Sequence, residues 1–459
     1  MSSNPIRATV PFDRDGVHHG FLRLPHSSNE SAWGAVMIPV TVIRNGDGPT
    51  ALLTGANHGD EYEGPVALQA LASELDPAEV NGRVIIVPFM NQPAFQAGTR
   101  VSPIDGVNLN RNFPHEYLYF RPHSGPHQVS EVETRALADF MFEQTNIAAV
   151  LTFSPYDNLR SPTPDNRRPP EGVAPGPPSQ PSNIQPQDRP YFQYVSERFV
   201  EMTGLRGDGA AGEAGSFNQY AYYQVGIPAF TTPVWTLEPG QGEMDARWLA
   251  HFDEAGIDGF VEWTSASHPQ LGDVEVGGFR PNVRVNPPAD QVAELAAGHA
   301  DFATWLGNQL PRVEVVETRV EPRGEGVWEI HAVVANEAYF PTQTQMGQRV
   351  RFNRPVTVRL MPTRGMTVLT GNIQQQVPRI EGMGGRQTFT WLVQAPAGTT
   401  IPLEVFAEAG ASAAPQSLLD TGFIYGAKVE SEVSLHTIDF PIETANFDGR
   451  ATLTADEVE

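Results

Sequence analysis

The chain contains no cysteine. Disulfide scaffolds and cysteine-ligated zinc sites are therefore excluded, and any metal must be held by His, Asp or Glu. Cationic residues are scarce: 30 Lys and Arg stand against 54 Asp and Glu, for a formal charge of -24. Such a surface repels nucleic acid and anionic membranes, so neither is expected as a partner. No stretch reaches the roughly 18 apolar residues that a membrane span needs. Met1 to Phe12 lack the apolar centre of a signal peptide. A soluble cytoplasmic protein is the expectation. With 459 residues, 40% of them hydrophobic, the chain exceeds one typical core and is expected to form two or three domains.

What is present is an alternation of strand and helix patterns. Thr50–Thr54, Arg83–Phe89, Ile147–Phe153 and Ala229–Thr232 have the continuous apolar character of strands covered on both faces. Helical patterns lie between them at Pro65–Leu75, from a capping box Ser130-Glu131-Val132-Glu133 to about Gln144, and at Tyr191–Met202. Ile6–Val42 alternates like an edge hairpin. The pattern predicts an α/β layer fold with a mixed, mainly parallel sheet and helices on both faces. Roughly a third of the residues between Ser161 and Pro190 are proline, which excludes helix and central strand and predicts a surface excursion. Ala289–Leu310 reads as a connecting helix with Val292, Leu295, Ala296, Phe302, Trp305 and Leu306 on its apolar side. After Pro311, short strands spaced by turns predict a small all-β sandwich of about a hundred residues. The expected domains are residues 1–310, with the excursion at 161–190, the β-sandwich at 311–410 and a C-terminal extension at 411–459. Ser434–Ile438 reads as a further strand within that extension.

Gly55-Ala56-Asn57-His58-Gly59-Asp60-Glu61-Tyr62-Glu63-Gly64 carries the chemistry. It follows the apolar Ala51-Leu52-Leu53 and precedes a helix. His58 and Glu61, at a strand-to-helix junction, can aim an imidazole nitrogen and a carboxylate at one point. That is two thirds of a catalytic zinc site, which takes three protein ligands and leaves one position for water. A second cluster holds Arg100 and Asn108-Leu109-Asn110-Arg111-Asn112-Phe113-Pro114. An arginine held by a turn is a fork for a carboxylate. On residues alone, Asn110-Arg111 reads equally as an Asx-turn with a solvated arginine.

Taken in order, His58-x-x-Glu61, Arg100, Asn110-Arg111-Asn112-Phe113-Pro114 and Ser130-Glu131-Val132-Glu133-Thr134-Arg135 resemble the zinc carboxypeptidase (M14) family. Asn57–Gly64 and Asn108–Pro114 look most like its succinylglutamate desuccinylase/aspartoacylase-like branch. Gly125–Leu137 looks more like true carboxypeptidases. His268–Gly278 and the β-domain after it resemble members with a C-terminal carboxypeptidase-associated domain. The resemblance implies one zinc ion on His58 and Glu61, a substrate carboxylate on Arg111 and Asn110, and Arg100 at the oxyanion. It implies hydrolysis by zinc-activated water of the amide next to a free carboxylate, in a peptide or an N-acyl amino acid.

The same resemblance exposes departures. Ser154 stands where the family has its third ligand, a His, and a hydroxyl is a poor zinc ligand at neutral pH. Asp157, or His123 or His127 from a loop, are the substitutes at hand. Pro233 stands where the family has its catalytic Glu. Glu238 replaces it only if the chain turns back into the cleft; otherwise it is a solvated loop residue. The family's substrate-capping Tyr has no counterpart in Gly207–Ala214. Two readings are open: a zinc hydrolase with a rebuilt site, or a relative that binds peptides or acyl amino acids through Arg100 and Arg111 without cleaving them. A purely structural protein built on the β-domain fits less well, because the α/β part dominates.

Overall fold

Strands that are apolar at every position must be covered on both faces, and here they form the centre of one sheet. The computed structural model describes residues 7–27, 34–115, 123–144, 146–160, 184–207, 212–237, 240–407, 427–434 and 450–452. The elements of the first part are β1 (Arg7–Ala8), β2 (Gly16–Pro25), β3 (Ala35–Asn45), β4 (Thr50–Thr54), α1 (Glu63–Glu74), β5 (Gly82–Val87), α2 (Gln92–Ala97), α3 (Val132–Glu143), β6 (Ile147–Phe153), α4 (Arg189–Thr203), α5 (Phe217–Gln219), β7 (Ala229–Thr232), α6 (Met244–Ala255), β8 (Phe260–His268), β9 (Gly272–Phe279) and α7 (Val292–Gly307). Seven strands form one sheet in the order β1-β2-β3-β5-β4-β6-β7. The sheet is mixed: β5–β4, β4–β6 and β6–β7 pair parallel, and β1–β2, β2–β3 and β3–β5 pair antiparallel.

The chain leaves β4 toward β5 on one side and then crosses to β6 on the other. That reversal beside β4 makes a switch point, and open α/β sheets bind ligands outside the carboxyl ends of their strands at such a place. The His58-x-x-Glu61 loop leaves β4 there, and Ser154 leaves β6 next to it.

The second part comprises β10 (Val313–Gly324), β11 (Val327–Asn336), α8 (Gln345–Val350), β12 (Val356–Leu360), β13 (Thr367–Thr370), β14 (Gln374–Val377), β15 (Gly385–Gln394), β16 (Thr400–Ala407), β17 (Ala427–Ser434) and β18 (Arg450–Thr452). Two sheets, β10-β11-β15-β13 and β14-β12-β16-β17-β18, share one core that includes Trp328, Ile330, Trp391, Val358 and Leu403. Two strands of the expected C-terminal extension thus complete the second sheet. Of the strand expected at Ser434–Ile438, only Ser434 falls among the described residues, as the last residue of β17. Most of the proline-rich excursion also lies outside them, and its last residues, Arg189 and Pro190, open α4. No described helix is long and apolar enough to cross a membrane.

The capping box at Ser130 does not form. Helix α3 begins at Val132, and the Ser130 hydroxyl donates to Glu131 Oε1 at 2.7 Å instead of capping. Asn112 organises the start: its Oδ1 accepts from the Glu131 N–H at 3.2 Å and the Thr134 hydroxyl at 2.5 Å. A side chain from a distant loop has displaced the local cap.

Helix α7 matches its predicted apolar face, with one addition. His299 is 1% exposed among Phe153, Phe199 and its own helix, and Nδ1 lies 2.7 Å from the Leu295 carbonyl oxygen. Burial lowers its pKa to about 4. In the unfolded chain the ring protonates near its ordinary pH of roughly 6.5. Between the two values the unfolded state holds the extra proton, so stability falls as pH drops from about 6.5 to 4, by roughly 3 kcal/mol. His299→Leu should flatten the dependence of the urea midpoint across that window; an unchanged slope would remove His299 as its cause.

Candidate functional site

The loop after β4 is pinned by backbone. Met90 N–H and Asn91 N–H donate to the carbonyls of Gly55 and Ala56, both at 3.0 Å, and Asn91 Nδ2 reaches the Asn57 carbonyl at 3.2 Å. Gly59 is required by close approach: a Cβ there would lie 2.0 Å from the carbonyl carbon of Ala94. The result is a rigid loop with His58 1% and Glu61 5% exposed.

His58 Nδ1 lies 2.7 Å from Glu61 Oε1, and its Nε2 lies 3.0 Å from Asn108 Oδ1. Asn108 Oδ1 also accepts from the Asn110 N–H at 2.9 Å, which fixes that atom as an acceptor. Nε2 must therefore carry the proton donated to Asn108. Nδ1 is left facing a carboxylate oxygen at contact distance, an arrangement that requires a proton or a cation between them. An outer partner that fixes the imidazole tautomer in this way is the usual support of a metal-binding His.

Three asparagines from two loops continue the site. Asn57 Nδ2 donates to Asn110 Oδ1 at 2.7 Å, and Asn110 Oδ1 also accepts from Phe217 N–H at 3.1 Å. Buried polar atoms without a hydrogen-bond partner among the described residues concentrate here: Asn57 Oδ1, Asp60 Oδ1, Glu61 Oε2, Glu63 Oε2 and Asn110 Nδ2. Buried polar groups are ordinarily paired, so five such atoms at one loop junction mark a place built to meet a polar ligand.

Arg100 is half-exposed, with Nη1 3.3 Å from Glu61 Oε1. Arg111 Nη1 donates to the Asn110 carbonyl at 2.9 Å and to the Tyr156 hydroxyl at 2.5 Å, and Nη2 donates to Glu213 Oε1 at 2.9 Å. Among the described residues, Nε–H and the second hydrogen of Nη2 have no acceptor. Tyr156 is stacked near the guanidinium, 5.9 Å from ring centroid to Cζ, and burial raises its pKa.

The remaining expected positions are engaged elsewhere or lie apart. Ser154 Oγ lies 2.9 Å from Thr231 Oγ1 and accepts from Tyr156 N–H at 3.2 Å. Both Asp157 oxygens are engaged, Oδ1 by the N–H groups of Leu159 and Arg160 and Oδ2 by Arg160 Nε at 2.6 Å. His127 is exposed, its Nδ1 2.9 Å from the Gln128 carbonyl oxygen. With His123, Asp105 and Glu131 it lines a separate open hollow of about 560 Å³. Glu238 lies outside the described residues. Beside Pro233, the N–H of Val234 donates to Glu63 Oε1 at 3.0 Å. Burial first, then Glu61, pushes the Glu63 carboxyl well above the usual carboxylate range.

His58 and Glu61 fit two of the three protein ligands of a zinc ion by donor type and tautomer. Among the described residues a third is not at hand. Among the described residues, the one trio of His, Asp or Glu donor atoms within 4.8 Å of one another is Glu321, Glu329 and His331 in the β-sandwich, and Arg319 and Arg323 pair its carboxylates. Sequence reasoning missed Asn57, Asn108, Glu63, Tyr156 and Glu213. Only Asn57, Glu63 and Asn108, inside the quoted motifs, carried any signal.

Residues 47–152 match the model of the succinylglutamate desuccinylase/aspartoacylase catalytic domain. A succinylglutamate desuccinylase from Silicibacter sp. TM1040 is 33% identical, with 56% of this chain and 70% of that chain covered and a TM-score of 0.34. The ectoine utilization protein EutE (DoeB) of Ruegeria pomeroyi is 30% identical, with 61% of this chain and 91% of that one covered and a TM-score of 0.36. The chain belongs to the succinylglutamate desuccinylase/aspartoacylase family. The membership rests on sequence identity over most of those relatives' length. An N-alpha-acetyl-L-2,4-diaminobutyric acid deacetylase from Halomonas elongata is 69% identical over 111 residues. That match takes in 24% of this family member and spans about a third (32%) of the relative. Residues 312–414 match a domain of unknown function, a span that holds β10 to β16 of the β-sandwich but not β17 and β18.

Proposed function

We propose that this family member is a deacylase that cleaves the amide of an N-acyl amino acid, with one zinc ion on His58 Nδ1 and Glu61. The observation that carries the reading is the His58–Glu61 contact with its tautomer fixed by Asn108, set among unpaired buried polar atoms. Zinc bound there would supply a Lewis acid and an acidified water. The chain's own groups do the rest. Asn108 holds the imidazole. Arg100, beside Glu61 and open to solvent, offers N–H donors to an oxyanion. Asn110 Nδ2 and the free N–H groups of Arg111 take the substrate carboxylate. The names of the family and of the Halomonas elongata relative favour acyl amino acids over peptides as substrates.

Ser154 and Pro233 favour a second reading, in which the same pocket binds its ligand without cleaving it. One experiment separates the two. Protein dialysed against zinc-supplemented buffer is analysed for metal and then incubated with N-acetyl-2,4-diaminobutyrate. The deacylase reading expects about one zinc per chain and acetate release that a chelator stops. Saturable binding of the substrate with no acetate released, zinc being present, would select the binding protein.

A further inference from the structure

The carboxylate pocket already contains a carboxylate. Glu213 accepts from Arg111 Nη2 at 2.9 Å, with Arg111 17% and Glu213 40% exposed at the side chain. The contact is built in. Gly215, at φ +86°, lies so close to Arg111 that a Cβ there would sit 2.6 Å from the Arg111 carbonyl. Its carbonyl accepts from Phe113 N–H at 3.1 Å, and the Glu213 carbonyl accepts from Ser216 N–H at 2.9 Å. The loop is thus seated against the Asn110–Phe113 backbone and carries the Glu213 carboxylate to the guanidinium.

This has an electrostatic consequence. A simple carboxylate docking on the remaining N–H groups of Arg111 meets the Glu213 charge at nearly the same range, and repulsion offsets much of the attraction. A dicarboxylate fares worse. A ligand that carries an ammonium as well as a carboxylate completes an alternating set of four charges, with each charge next to its opposite. Arg100, the other arginine of the site, is likewise paired, with Glu61. Neither guanidinium stands as a bare positive charge for a polyanion.

We propose that Glu213 is a specificity residue that binds a free ammonium of the substrate while Arg111 binds its carboxylate, so the substrate class is an N-acylated diamino acid and not an N-acylated dicarboxylic acid. The proposal rests on the reading of Arg111 as the carboxylate site.

The test is calorimetric binding to the full chain of three probes that cannot be deacylated: the N-methylsulfonyl derivatives of 2,4-diaminobutyrate, 2-aminobutyrate and aspartate. The wild type should prefer the diaminobutyrate probe over the other two by about tenfold or more. Glu213→Gln should abolish that preference by weakening the diaminobutyrate probe, and Glu213→Asp should retain part of it. Arg111→Gln should weaken all three probes. A Glu213→Gln protein that keeps the preference overturns the proposal. So does one that binds all three more tightly and equally, since Glu213 would then merely compete with the substrate carboxylate. If the wild type binds none of the three, the carboxylate reading fails, and the proposal falls with it.

Discussion

Asp188→Ala is expected to lower the unfolding free energy by about 3–5 kcal/mol, the range for removing one partner of a buried ion pair. Asp188 is 1% exposed and stands immediately before α4. Its Oδ1 accepts from the Gln345 N–H at 2.7 Å and from Arg379 Nη1 at 3.1 Å. Its Oδ2 accepts from the Tyr222 hydroxyl at 2.8 Å and the Met346 N–H at 3.2 Å. One carboxylate thus joins the α/β part to the start of α8 and to an arginine of the β-sandwich. Arg379 is itself 5% exposed at the side chain, lies over the Tyr191 ring and otherwise pairs with the exposed Glu381. Truncation takes the partner of Arg379 Nη1, leaving that guanidinium only Glu381, and removes the acceptor of a buried hydroxyl and of two helix N–H groups; each unpaired buried group costs about 1–3 kcal/mol. Asp188→Asn keeps acceptor capacity on one oxygen and should cost less than Ala. Urea unfolding followed by tryptophan fluorescence measures both. A loss under about 1 kcal/mol for Ala would mean that water replaces the carboxylate and that the joint is not buried in solution.

The scaffold of the site is legible in the sequence because its cause is local. Ala51-Leu52-Leu53 and Val84-Ile85-Ile86-Val87 are apolar at both parities, which only a strand covered on both faces tolerates. The position of His58 and Glu61 at the end of such a strand comes from that and from the helix pattern after Pro65. Helix α7 is legible for the same reason, since Phe302 and Leu306 repeat at helical spacing. His299 shares that face without announcing itself, because a polar residue on an apolar stripe gives no sign in sequence of whether it is buried neutral.

The illegible part depends on pairs far apart in the chain. His58 and Asn108 are separated by 50 residues, Arg111 and Glu213 by 102 and Asp188 and Gln345 by 157. No local propensity encodes such hydrogen bonds. The capping box at Ser130 fails for the same reason: Asn112 offers the start of α3 a better set of bonds than Ser130 can. Tyr156 brings a hydroxyl to Arg111 from the strand-end segment after Ser154, whereas the family pattern puts its capping Tyr at Gly207–Ala214. Two of the positions discussed as ligand candidates make other contacts in the structure. Ser154 is bonded to Thr231, and Asp157 is held by Arg160.

His58→Ala is expected to weaken zinc binding by two orders of magnitude or more, since it removes the only nitrogen donor that the site's described residues offer and the ion then has one carboxylate. The effect should exceed the roughly 10–100-fold typical of losing an outer partner of a ligand, such as Asn108 here. Competition with a chromophoric chelator reads the affinity directly and does not depend on turnover. The complementary change is Ser154→His. It places an imidazole where the family has its third ligand, at the end of β6 beside β4, and gives up a hydroxyl contact to Thr231. If the His58–Glu61 pair is a two-ligand remnant, this variant should bind zinc at least about tenfold more tightly than the wild type, because a second neutral nitrogen, as third protein ligand, replaces water in the coordination sphere. Tight wild-type zinc with no gain in Ser154→His would mean that a third protein donor is already supplied from elsewhere in the chain. Wild-type affinity persisting in His58→Ala would remove the pair from the metal site altogether. The two variants bracket the assignment: one deletes a donor that the geometry identifies, and the other restores a donor that the family pattern lacks here.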